Sequence, residues 1–252
     1  MGRYFLFFCT LLVYTVSQAQ NSKWTIYPSL GIDMGGAVPF PFSDIPKGAG
    51  GTPKLNPLLG IGYSYSISMN WMLSMEVNYH ILEFSAHADV RSQSFYFDNH
   101  EDILYFSGST KTNVELRLIE FPMVATCRAG KNWSLQFGPY YSLLLEGTFT
   151  TEGTDGVLSP DKAITDNAVL PGIASAGYNF NNQIDTYDAG LFFGYCYHVN
   201  DKLFFFGRFH CGFKSIFVKE FNTIEYDMYQ LRLSIGASYS LFSKSIAREE
   251  PT

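Results

Sequence analysis

The feature that most constrains this chain is a two-residue period that returns again and again. From Leu55 to Ser68 the odd positions include Pro57, Leu59, Ile61, Tyr63, Tyr65 and Ile67, while the even ones are mostly Asn, Gly and Ser. The same alternation continues through Trp71, Leu73, Met75, Val77, Tyr79 and Ile81, with Ser74, Glu76, Asn78 and His80 between them. It recurs from Trp133 to Glu146 and from Tyr229 to Leu241. A β-strand throws successive side chains to opposite faces, so each segment reads as a strand between two unlike environments. Eight such segments are expected, at about 23–36, 55–68, 71–86, 113–128, 133–148, 185–198, 203–217 and 226–242. In the fourth, Val114, Leu116 and Leu118 are on even positions but Phe121 and Met123 on odd ones. That predicts a bulge near Ile119–Glu120, beside Pro122, which cannot donate to a ladder.

Which face meets water decides the fold class. A soluble barrel or sandwich turns its apolar face inward and its Lys/Glu/Thr face outward. Here the second face is small and dominated by Gly and Ser, which suits a narrow interior. The apolar face runs for six or seven positions, roughly 40 Å of strand, enough when tilted to cover the roughly 25 Å apolar band of an outer-membrane barrel. The connections agree. Tight turns at Met69–Asn70, Ala129–Asn132 and Val199–Lys202 alternate with long links at about 37–54, 87–112, 149–184 and 218–225. Short periplasmic turns and longer outer loops are the habit of membrane barrels. Trp24, Trp71, Trp133, Tyr197, Tyr229 and Tyr239 fall near strand ends, where interfacial girdles form. Backbone groups in lipid must pair within the protein, so the sheet has to close. The expected fold is all-β, a closed antiparallel up-and-down transmembrane β-barrel of eight strands.

The interior should then hold a polar network of Glu76, His80, Glu115, Arg117, Glu120, Glu146, Asp188, Arg208 and Arg232, with Asp33, His210 and Lys214 on the same face. Buried charges persist only when paired, so ion pairs between strands are expected. An eight-stranded interior is just filled by side chains, which argues against an open channel.

Residues 1–19 read as a secretory signal: Arg3 is the positive start, Tyr4–Val16 the apolar run, and Ser17-Gln18-Ala19 the small-residue site. Cleavage is expected between Ala19 and Gln20, leaving the barrel at 20–242 and a short periplasmic tail at 243–252. Three cysteines follow the signal, Cys127, Cys196 and Cys211, at spacings that match no zinc pattern. An odd number cannot pair completely, and they read as small apolar residues. Acidic residues outnumber basic ones 23 to 17, which argues against nucleic acid as a partner.

Several pieces, in order, resemble one family. Leu118-Ile119-Glu120-Phe121-Pro122-Met123 is similar to the LEIPLL strand of the PorT-like outer-membrane β-barrel family of Bacteroidetes-type bacteria. Gly138-Pro139-Tyr140, the run from Asp188 to Gly194, Arg208 to Gly212, and Gln230 to Tyr239 follow as they do there. The resemblance spans most of 24–242. It implies an integral, porin-like outer-membrane barrel, from a family whose founding member is associated with protein secretion across that membrane. It brings no catalytic motif. One departure is the stretch after Phe242, Ser243–Thr252, where such barrels often end on an aromatic residue.

The functional expectation is a non-enzymatic membrane protein that acts through its outer loops, with no cofactor, no metal and no catalytic residue. Expected partners are outer-membrane lipid and lipopolysaccharide, then other envelope proteins. Alternatives are a solute channel of ten strands with a hairpin hidden in 149–184, an accessory barrel in secretion, and a soluble ligand-binding barrel. Calcium at Glu152, Asp155, Asp161 and Asp166 lacks the spacing of a cation loop. A lipid hydrolase built on Ser85, His87 and Asp89 would place three residues of one face near a strand end, but no nucleophile elbow accompanies them.

Overall fold

The computed structural model describes residues 21–40, 50–95, 104–159, 176–179, 181–219 and 227–247. The strands are β1 (Asn21–Pro39), β2 (Gly50–Pro53), β3 (Leu55–Ser66), β4 (Trp71–Phe95), β5 (Leu104–Arg128), β6 (Trp133–Ser159), β7 (Ala176–Asn179), β8 (Tyr187–His198), β9 (Leu203–Ser215), β10 (Met228–Tyr239) and β11 (Phe242–Ala247). Eight of them form a ring in the order β1, β3, β4, β5, β6, β8, β9, β10, and β10 pairs back onto β1. Every neighbouring pair is antiparallel. The fold is therefore the closed eight-stranded β-barrel that the alternation predicts, not a ten-stranded one. The short strands lengthen its walls. β2 lies on Phe84–His87 of β4, β7 on Thr150–Gly153 of β6, and β11 on Asn21–Ile26 of β1. β11 thus includes part of the segment expected as a short periplasmic tail.

Three tight turns sit at one end. Each closes with a backbone bond: Ile67 N–H to Trp71 O at 2.9 Å, Ala129 N–H to Trp133 O at 2.9 Å, and Val199 N–H to Leu203 O at 3.0 Å. Asn200 Oδ1 accepts from the N–H groups of Lys202 and Leu203, both at 2.8 Å, which fixes the third turn.

The outward positions form an apolar belt around all eight ring strands. Leu30, Ile61, Met75, Phe193, Phe213 and Ile235 each expose between 49% and 64% of their surface. A belt of this extent far exceeds the few hundred Å² of apolar patch on a soluble monomer. Its solvent is lipid. Rings mark both edges. Trp133 meets Tyr197 at 4.8 Å and Tyr195 at 5.9 Å near the turns, and Tyr141 stacks on Tyr187 at 5.7 Å near the other edge. From Trp133 to Leu143 the strand covers roughly 34 Å, or about 26 Å of height at a tilt of about 40°.

Two expectations need correction. First, β5 has no phase slip. Val114, Leu116, Leu118, Glu120, Pro122 and Val124 all face inward, and Phe121 and Met123 face out. The interior itself changes from polar to apolar along the strand, which mimics a slip in the sequence. The slip belongs to β6, where Arg117 pairs with Glu146 but Leu118 with Leu144, leaving Leu145 as an extra residue. Second, β4, β5 and β6 run for 25, 25 and 27 residues, well past the predicted ends. Above the belt their outward positions turn polar and their inward ones apolar. The pattern there is that of a soluble sheet, so the lipid-facing rule stops applying.

Candidate functional site: the barrel interior

The inward face of the ring builds two arginine-centred clusters. Arg208 of β9 forms a two-point bridge to Glu76 of β4, with Nη1 donating to Oε2 at 2.6 Å and Nη2 to Oε1 at 2.8 Å. Its Nε donates to Gln136 Oε1 at 2.9 Å. Glu76 also accepts from Tyr27 Oη at 2.9 Å and Asn78 Nδ2 at 3.2 Å. The guanidinium lies against the rings of Phe206 and Phe192, at 4.7 and 5.4 Å. Tyr27 reaches Glu76 because Gly62 has no side chain; a Cβ there would overlap the Tyr27 ring.

The second cluster is centred on Arg232 of β10. It donates to Asp33 Oδ2 at 3.2 Å and pairs closely with Glu120. Its Nη1 lies 2.7 Å from the His80 ring nitrogens and its Nη2 3.0 Å from His210 Nδ1. His80 Nδ1 is also 3.1 Å from Asp33 Oδ2. The tautomer that satisfies both carries the His80 proton on Nδ1 and accepts from Arg232 at Nε2. Tyr140 Oη donates to Asp188 Oδ2 at 2.8 Å, and its ring packs edge-on to His210. Arg232, His80, Asp33 and Glu120 are each at most 1% exposed.

The ring order gives these contacts their mechanical meaning. β4 lies opposite β9, and β5 opposite β10, four places around the ring. Arg208–Glu76 and Arg232–Glu120 therefore span the barrel as struts, while Asp33 on β1 ties Arg232 to its ladder neighbour. A two-point arginine–carboxylate contact fixes orientation as well as distance.

Beyond the Arg232 cluster, away from the turns, the interior becomes apolar. Leu82, Phe84, Val114, Leu116, Leu118 and Phe149 pack with Ile184, Ile216 and Phe217 in one buried cluster. A short 3₁₀ turn, Asn181–Gln183, lies on this layer. Asn181 Oδ1 accepts from Phe149 N–H at 2.7 Å, and Ile184 pairs with Phe217.

Of the nine residues expected inside, Glu76, His80, Glu120, Asp188, Arg208 and Arg232 are buried there. Glu115, Arg117 and Glu146 are not. Arg117 donates to Glu146 at 2.6 Å and lies 3.0 Å from Glu115, all on the outer surface with side chains 38% to 63% exposed. The reason is the unbroken phase of β5 and the Leu145 bulge, which carry all three outward above the belt. Lys214, also expected inside, bonds Asp185 at 2.5 Å and covers the outward Tyr187 ring at 3.2 Å. Tyr27, Gln136 and Tyr140 complete the clusters and share strand parity with known inward residues, so parity alone would have found them. The apolar layer had no such marker.

The alternative site on β4 is spread rather than gathered. Ser85 Oγ donates to Asn113 Oδ1 at 2.7 Å, and Asp89 accepts from Ser109 Oγ at 2.6 Å. Cys196 is buried inside the barrel, while Cys127 and Cys211 are part-exposed, and all three are free thiols. Residues 1–20, Asp161 and Asp166 lie outside the described residues.

The Ail attachment invasion protein of Yersinia pestis superposes with a TM-score of 0.38 at 8% identity, covering 87% of this chain and 99% of that one. Neisserial surface protein A gives 0.40 at 11% identity, covering 86% and 97%. OprG of Pseudomonas aeruginosa gives 0.26 at 11% identity, covering 88% and 96%. A search of curated proteins returns no match. The family model described as outer membrane protein beta-barrel domain matches residues 17–218. That match spans most of the chain, which thus belongs to the outer-membrane β-barrel domain family.

Proposed function

We propose that this protein is a closed, non-catalytic outer-membrane barrel that works as a structural or interaction protein through its outer surface. The observation that carries the reading is the pair of buried ion pairs that cross the barrel. Two cross-barrel ion pairs and a separate apolar layer occupy the bore in series, and an ion would have to break a strut and then cross packed Leu and Phe side chains. Desolvating it in the apolar layer is strongly unfavourable. Recognition then falls to the ends of β4, β5 and β6, which rise past the lipid belt on a polar outer face. Lipid and lipopolysaccharide are the nearest partners for that face, and other envelope proteins the next.

The finer affiliation is to the PorT-like barrels, supported by the order of the short motifs from Leu118 to Tyr239. Membership in a secretion assembly rests on that resemblance. Cleavage after Ala19 is part of the same reading, with the mature chain starting at Gln20; mass spectrometry of the purified protein tests it.

Planar-bilayer recording tests closure. The expected result is no stable open-channel current from the folded protein. Steady single-channel steps would favour the porin-like alternative.

A further inference from the structure

On the turn side of the Arg208 strut the barrel opens into a cup of about 310 Å³, at the end that is periplasmic in this reading. Thr25, Ser64 and Ser66 line one wall, and Thr126, Ser134 and His198 the other. The Tyr27 and Phe204 rings meet edge to face at 5.3 Å on its floor. Arg128 and Lys131 stand at the rim, and Asp201 is the one carboxylate among the lining residues. In a chain of net charge -6, this is a locally cationic, hydroxyl-walled recess.

One wall gathers polar side chains of β5, β6 and β8. Thr126 and Arg128 are two apart on β5 and share its inward face. Arg128 is the register partner of Ser134. Ser134 Oγ lies 3.3 Å from His198 Nε2. Thr126 lines the same cup and is 4% exposed, yet its Oγ1 has no hydrogen-bond partner among the described residues. A buried hydroxyl left unpaired calls for an explanation, and a ligand oxygen supplies one.

We propose that this cup binds a small oxyanion of the phosphate type. Arg128 supplies the charge-assisted donors, Thr126 and Ser134 the hydroxyl donors, and Lys131 a second cation at the entrance. The volume exceeds that of one phosphate and lies at the lower bound of small-molecule sites, roughly 300 Å³. A polyol carrying the phosphate therefore fits the hydroxyl wall and the aromatic floor. The site is at the opposite end of the barrel from the outer surface invoked above, so the two proposals stand or fall separately.

The test is calorimetric titration of the full-length protein, folded in detergent, with inorganic phosphate and separately with glycerol 3-phosphate. One binding site per chain is expected, with affinity lowered at least about tenfold by Arg128→Gln and by Thr126→Val. Heat-modifiable migration confirms that each variant is folded. Tighter binding of glycerol 3-phosphate would identify a phosphorylated polyol, and equal binding free phosphate; both support the site. Absence of binding by either probe at about 10 mM overturns it, as does an affinity unchanged in either variant.

Discussion

At the scale of single residues, burial decides what a charge is worth. Arg208 and Glu76 are each 3% exposed, and each is the other's main partner. Arg208→Ala leaves a buried carboxylate without its cation, a loss of about 3–5 kcal/mol by the usual cost of breaking a buried pair. Urea unfolding in detergent or lipid should show that drop. Replacing both, Glu76→Leu with Arg208→Met, should recover only part of it: the desolvation cost leaves with the charges, but Tyr27, Asn78 and Gln136 lose their partners in the pair. Arg117 makes an equally short bond to Glu146 and a longer one to Glu115, but in contact with solvent. Arg117→Ala should leave the unfolding midpoint unchanged within error. Gly62→Val should behave like a core defect despite its small size. The new side chain displaces the Tyr27 ring and strips Glu76 of one donor.

At the scale of the strand, the β6 bulge has a consequence that mutation can expose. Leu145 is the extra residue between the Arg117–Glu146 and Leu118–Leu144 pairs. Deleting it removes the bulge while Ser142, Phe149 and Thr151 still face inward, so a folded, heat-modifiable barrel should persist. Deleting Phe137, in the regular part of the strand, turns Tyr140 and Ser142 toward lipid and should abolish folding. The same region shows how far the residues could be read from sequence. Every ring strand was legible where lipid bathed one face, because bulky and small residues then alternate sharply. Above the belt water replaces lipid, and the apolar set moves indoors at Leu82, Phe84 and Leu116 without any change of period. Parity alone cannot tell these regimes apart, and that is why Glu115 and Arg117 were expected inside. The Leu145 bulge hid Glu146 in the same way. The pairing of buried charges was unreadable for another reason. Glu76 and Arg208 are 132 residues apart, and Arg232 and Glu120 are 112 apart, so no local spacing records them.

At the scale of the whole molecule, one inversion organises everything else. The barrel wears its bulky side chains outside in the lipid belt and holds Gly, Ser and paired charges within. Beyond the belt it returns to the arrangement of a soluble sheet, with an apolar interior and a charged exterior. The cross-barrel struts and the apolar layer lie in sequence along the axis, and the proposed closure of the barrel rests on them. Lipid contact at the outward positions is the most direct test of this scheme. Single nitroxide labels at Leu59, Phe193 and Ser64, in protein reconstituted into bilayers, would be read for collision with oxygen and with a water-soluble nickel chelate. Leu59 and Phe193 should collide readily with oxygen and not with the chelate, while Ser64, on the wall of the turn-side cup, should not share that oxygen-rich, chelate-free signature. Strong chelate access at Leu59 and Phe193 would contradict the account.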